Sequence, residues 1–113
     1  MEQLLIDSIK SYNGYLAKFP QGCVIIADFI RKDKIKEALD LILDFDEGIR
    51  WLTEMNNLIK KNGYEVSLEI MQIHEYLNEV NNALLIQDFI VVADMFEYEI
   101  APFFESCRKI EQE

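Results

Sequence analysis

The sequence predicts an all-α protein, built as an antiparallel up-down-up-down four-helix bundle. Apolar residues recur at alternating steps of four and three along nearly the whole chain, the period of a buried helix face. Gly 4 and Pro 2 in 113 residues are too few to turn an all-β fold. Hydrophobic residues make up 50% of the chain, enough for a sizeable core, which excludes a disordered polypeptide. At this length a single domain over residues 1–113 is expected.

The first segment carries Leu5, Ile9, Tyr12, Leu16, Phe19, Cys23, Ile26 and Ile30 in that alternation. Its phase runs through Pro20 and Gly22. Proline removes a helical hydrogen bond and clashes with the carbonyl four residues back, and a full break usually loses the phase. The reading is one long helix over about 2–32, kinked near Phe19-Pro20, with two helices in line as the alternative. The second segment, 33–61, has Ile35, Ala38, Ile42, Phe45, Ile49, Leu52, Asn56 and Ile59 on its seam. Asp33 is its expected N-cap and Asn62-Gly63 its stop, where glycine takes positive φ. Asn56 is the polar member of that seam. It either fixes register or lies near a solvated end of the bundle.

The third segment has Val66, Ile70, Ile73, Leu77, Val80 and Leu84, and no capping box marks its start. The fourth opens after Asp88, an expected N-cap, with Phe89, Ala93, Phe96, Ile100, Phe103, Cys107 and Ile110. It is expected to kink near Pro102. Connections of a few residues make consecutive helices antiparallel neighbours.

Eleven Lys and Arg against 21 Asp and Glu leave a net charge of −10. That field repels polyanions, so neither nucleic acid nor a membrane surface is an expected partner. No basic region precedes an apolar run at Met1-Glu2-Gln3, and no stretch reaches the ~20 apolar residues of a membrane span. A cytoplasmic protein is expected. Cys23 and Cys107 have no zinc or redox spacing and, on antiparallel helices, fall roughly 15–20 Å apart along the axis. Both are expected to be free thiols.

Chemistry-bearing patterns are few. A di-iron bundle needs paired Glu-x-x-His motifs, but the lone histidine, His74, has Met71 where the glutamate should stand. An all-helical, Mg²⁺-dependent nucleotide pyrophosphohydrolase needs carboxylates converging on a phosphate-bound metal. Glu37-x-x-Asp40, Glu75 with Glu79, and Asp94-x-x-Glu97 are the candidates, but the first four lie on outer helix faces and the order is wrong. Asp44-Phe45-Asp46-Glu47-Gly48 hints at a calcium loop, yet the helical period runs straight through it. No cofactor, metal or catalytic residue is therefore expected.

Ala27-x-x-x-Arg31-Lys32-Asp33-x-x-x-Glu37-Ala38-Leu39, then Asp46-Glu47-Gly48-Ile49-x-Trp51-Leu52, then Ala93-Asp94-Met95-Phe96-Glu97-Tyr98-Glu99-Ile100-Ala101-Pro102 form three connected patterns. Over about 20–105 they resemble a family of small, uncharacterised all-helical proteins of low-GC Gram-positive bacteria, some of them linked to motility genes. The resemblance implies a helical bundle and a motility-linked adaptor, and it carries over no catalytic residue.

Apolar residues also lie beyond the seam. Trp51, Met55 and Leu58 line one face of the second segment, and Val91, Met95 and Tyr98 one face of the fourth. Leu68 and Met71 stand outside the seam of the third. Either each helix buries a broad face, or these residues form a protein interface, for which aromatic and Met side chains are favoured. The expected function is a non-enzymatic interaction or adaptor module with a protein partner or a second copy, a homodimer; the alternative is the Mg²⁺-dependent hydrolase.

Overall fold

The computed structural model describes residues 2–110. It is all-helical, with no strand among the described residues. The elements are α1 (Glu2–Leu16), α2 (Phe19–Arg31), α3 (Ile35–Lys61), α4 (Ile70–Leu85), α5 (Phe89–Asp94), a π segment (Met95–Ile100) and α6 (Ala101–Glu105). The last three run on without a break. The body measures 47 × 21 × 20 Å. α2 packs against α3 on one side and against α5, the π segment and α6 on the other, while α1 lies on α3 and α4 on α5. No described helix is long and apolar enough to cross a membrane.

The seam residues of the sequence supply the core. Ile9, Tyr12, Leu16, Phe19, Cys23, Ile26 and Ile30 are all buried, as are Ala38, Ile42, Phe45, Ile49, Leu52 and Ile59. Aromatic rings bind the helices together at their middle. Phe45 of α3 meets Phe19 and Phe96 edge-to-face at 5.3 Å each, and Phe19 stacks on Phe104 at 4.8 Å.

Pro20 stands where a helix begins, and Pro102 lies within a continuous helical run just after its π segment. Instead of one kinked helix, the chain turns at Ala17 and Lys18, and Pro20 falls in the first turn of α2. There its missing N–H costs nothing, because first-turn N–H groups have no helical acceptor. The turn leaves Leu16 and Phe19 both buried, which is why the apolar phase survived it. Pro102 follows the π segment, whose wider turn has the Ala101 N–H reaching back to the Phe96 carbonyl. That five-residue spacing loosens the turn into which the proline ring would otherwise press.

Other ends also differ from the sequence reading. Asp33 is not a cap. It adopts φ 62° in the turn between α2 and α3, a conformation that Asp tolerates better than most residues, and Lys34 precedes α3. Gly63 does end α3 at φ 91°, and the Asp88 carboxylate accepts the Val91 N–H at 3.2 Å as an N-cap. α4 starts at Ile70, after a non-helical stretch. The last helix stops at Glu105, short of Ile110, and the chain beyond it is held by side chains. Ser67 Oγ accepts the Arg108 N–H at 2.8 Å and donates to the Arg108 carbonyl at 3.1 Å. Asn13 does the same for Ile110, accepting its N–H at 2.8 Å and donating to its carbonyl at 3.0 Å.

Gly48 explains the sequence that hinted at a calcium loop. The segment is helical, and a Cβ on residue 48 would meet the Tyr15 hydroxyl at 2.6 Å and the Phe19 ring at 3.0 Å. The glycine is there for helix packing. Asn56 is buried, and Tyr12 Oη donates to its Oδ1 at 3.1 Å. Such a buried pair joins α1 to α3 in one register, because a shifted register would leave both polar groups unsatisfied.

Both cysteines are free. Burial pushes the Cys23 thiol up to about 12 and, with the Glu69 charge adding, the half-buried Cys107 thiol up to about 11. Only the thiolate is nucleophilic. Iodoacetamide at pH 7.5 should therefore leave both largely unmodified in the folded chain, and modify both rapidly in denaturant, as read by mass spectrometry. Rapid native labelling of Cys23 would contradict this packing.

Candidate interaction surface

Of the six apolar residues picked out beyond the seam on the second and fourth segments, the structure uses half as packing. Trp51 is half-buried, with its ring edge-on to Tyr15 at 5.2 Å, and Met55 is half-buried against the core. Leu58 is 48% exposed. Met95 is buried, which removes it from any surface. The extra residue taken up by the π turn rotates the helix face, so Met95 and Ala101 join Phe96 and Ile100 inside. Val91 and Tyr98 are exposed. The Arg31 guanidinium lies 5.6 Å from the Tyr98 ring centroid and pairs with Asp94 at 2.9 Å and with Glu97, tying the end of α2 to the π segment.

The two halves of the expected face are apart. Trp51 lies against α1, sixteen residues and roughly 24 Å along α3 from its start, whereas Tyr98 lies against the end of α2, beside that start. Leu68 is buried and Met71 is exposed on its own.

A stronger surface forms at the corner where α4 turns into α5. Leu85, Ile86 and Ile90 are 82%, 75% and 77% exposed, and Val91 adjoins them. The turn is tight. The Asp88 N–H bonds the Ala83 carbonyl at 2.8 Å and the Gln87 N–H bonds the Leu84 carbonyl at 3.1 Å, with Gln87 at φ 58°. This geometry brings the aliphatic side chains before and after the turn onto one corner. Beside them a cavity of about 290 Å³ is lined by Ile30, Phe89, Ala93, Ile90, Arg31 and Asp94. Other exposed aliphatic residues, such as Val24 with Ile25 and Leu39 with Leu43, are fewer together and mostly less exposed than those of the corner.

The sequence held the clue. Leu84-Leu85-Ile86 and Phe89-Ile90-Val91-Val92 flank a two-residue turn, yet the seam requires only Leu84, Phe89 and Ala93. A helix corner cannot bury consecutive residues on every side. Val92 is buried as well, but Leu85, Ile86, Ile90 and Val91 face solvent, and a cluster of that kind marks a contact surface.

The corner carries charge of both signs. Arg31 and Asp94 line the cavity beside it, and Asp88 lies in the turn itself. Lys32 pairs with Asp28 at 2.9 Å, and Lys34 lies over the Phe29 ring at 5.7 Å.

Of the carboxylates weighed for metal binding, Asp94 and Glu97 are both taken up by Arg31, and the rest are dispersed. Glu37, Asp40, Glu75 and Glu79 are exposed on α3 and α4. Among the described residues no group of three His, Cys, Asp or Glu side chains is placed to hold a metal ion. Asp46, half-buried, lines a cleft with Arg50, Thr53, Asn78 and the exposed His74. Burial raises its carboxyl above the usual range, against the opposing pull of Arg50. A raised value in the folded state means that its charge destabilises the fold once pH climbs above about 4. Asp46→Asn should therefore raise the melting temperature at pH 7 and leave it unchanged at pH 3, read by circular dichroism. A fall at pH 7 would show that the Arg50 pairing outweighs burial.

Comparison with curated proteins and with solved structures returns no match to this chain. The model of one family, described as a domain of unknown function (DUF8042), matches residues 7–110, and the chain belongs to that family.

Proposed function

We propose that this chain is a non-enzymatic interaction module, that its docking surface is the apolar corner of Leu85, Ile86 and Ile90, and that a second copy occupies it. The helices run in up-down-up-down order in this reading, which presents the corner at one end of the bundle. The observation that carries it is three large aliphatic side chains, each three-quarters exposed or more, one of which, Ile90, lines a cavity walled by Ile30, Phe89 and Ala93 and by the Arg31–Asp94 pair. A projection beside a hollow is self-complementary. A two-fold pairing lets each copy insert its aliphatic residues into the cavity of the other.

Arg31 beside the cavity offsets part of the acid around it, which lowers the repulsion between two copies carrying −10 each. The dispersal of the Glu37, Asp40, Glu75 and Glu79 carboxylates favours this reading over the Mg²⁺-dependent hydrolase. A role beside motility proteins, which the family resemblance suggests, belongs to the same proposal.

Sedimentation over a range of concentration tests it. The expected result is a mass that rises from 13.3 kDa towards twice that value as the protein is concentrated. A single 13.3 kDa species at every concentration up to about 1 mM would overturn self-association through this corner.

A further inference from the structure

Far from the apolar corner, where the last turn of α3 meets the chain beyond α6, three cations line one cavity. It has a volume of about 440 Å³, and its walls are Lys60, Arg108, Lys109, Tyr64, Val66 and Ser67, with Glu65 as the one carboxylate. We infer that this cavity binds a small anion bearing a phosphate group.

The backbone of the site is fixed before any ligand arrives. Ser67 holds both backbone groups of Arg108, and Asn13 holds both backbone groups of the buried Ile110. Arg108 and Lys109 are thus fastened against the 64–67 stretch, and Lys60 reaches the same space from α3. No ion pair joins Lys60, Arg108 or Lys109 to any described residue, so no direct partner neutralises them, as is true of most cations of the described chain.

An arginine fork with two lysine point charges suits a dianionic oxyanion, to which each forms a charge-assisted hydrogen bond. The cavity volume lies in the range of small-ligand sites. Tyr64 and Val66 offer a ring and an aliphatic wall to the organic part of the ligand. A long polyanion is disfavoured, since it would run past this cavity onto a surface of net negative charge. The site therefore takes a compact anion rather than a nucleic acid.

Titration of the full chain with pyrophosphate at low salt, followed by calorimetry and by NMR shifts, tests the inference. Binding should be at least tenfold tighter than that of acetate, should weaken as salt rises, and should perturb the amides of Ser67, Arg108 and Lys109. Lys60→Gln with Lys109→Gln should weaken it about tenfold or more at unchanged melting temperature, because both side chains are exposed. Lys36→Gln, on the far end of α3, should leave binding as in wild type. Equal affinity of wild type and the double variant, or no saturable binding below about 10 mM, would overturn the site.

Discussion

Phe45→Ala is expected to lower folding stability by about 3 to 5 kcal/mol, the largest effect of a single substitution in this chain. The ring is 6% exposed and touches Phe19 of α2, Phe96 of the π segment and Phe104 of α6. Truncation leaves a cavity among three elements and removes edge-to-face contacts worth ~0.5 to 1.5 kcal/mol each beyond area. A domain of this size holds only about 5 to 15 kcal/mol in total. The melting temperature should therefore fall by more than about 10 °C, and the urea midpoint should fall in proportion. Phe45→Leu keeps most of the volume and should cost less than about 1.5 kcal/mol. A loss under about 1 kcal/mol for the alanine variant would show that the rings do not converge on residue 45.

Ile86→Lys with Ile90→Lys is expected to act on association instead of folding. Both side chains are at least three-quarters exposed, so stability should stay within about 0.5 kcal/mol of wild type. Burying an isoleucine is worth about 1.5 to 3 kcal/mol, and in a two-fold interface each substitution counts in both copies. The dimer dissociation constant should rise by at least about 100-fold, and sedimentation should return a single 13.3 kDa species. Leu43→Lys, at a site 63% exposed on α3 away from the corner, should leave the constant unchanged.

How far the sequence carried these conclusions follows from what periodicity can and cannot report. The seam residues were legible, because burial of one helix face is what the four-three alternation records, and Tyr12, Leu52, Ile59, Val80 and Phe96 are all buried. The breaks were not. A turn at Ala17-Lys18 keeps Leu16 and Phe19 in phase, and the π turn changes the count by one residue while Phe96 and Ile100 stay inward. Met95 changed sides for that reason, and no propensity of Met-Phe-Glu-Tyr-Glu-Ile marks a π turn. The backbone clamps from Ser67 and Asn13 were equally silent, since they join residues 41 and 97 positions apart.

The surface was legible in part. Excess apolar residues were visible on the second and fourth segments, but a single helix wheel does not say which face meets a neighbour. Tyr15 crosses to Trp51 and half-buries it, a contact set by the close approach at Gly48. The apolar run around Gln87-Asp88 was the better guide, because a tight turn leaves no neighbour to cover Leu85, Ile86 and Ile90.

The most direct measurement of the central claim is cross-linking between copies from a single engineered thiol. In a Cys107→Ser background, Ile90→Cys places a thiol on the corner, while Met71→Cys places one of similar exposure on the surface of α4. Cys23 stays buried in both. With a short bis-maleimide at a concentration where sedimentation finds dimer, the Ile90→Cys chain should give a covalent dimer in high yield and the Met71→Cys chain only a trace. Equal yields from the two positions, or dimer from residue 71 alone, would contradict the assignment of the corner as the surface where two copies meet.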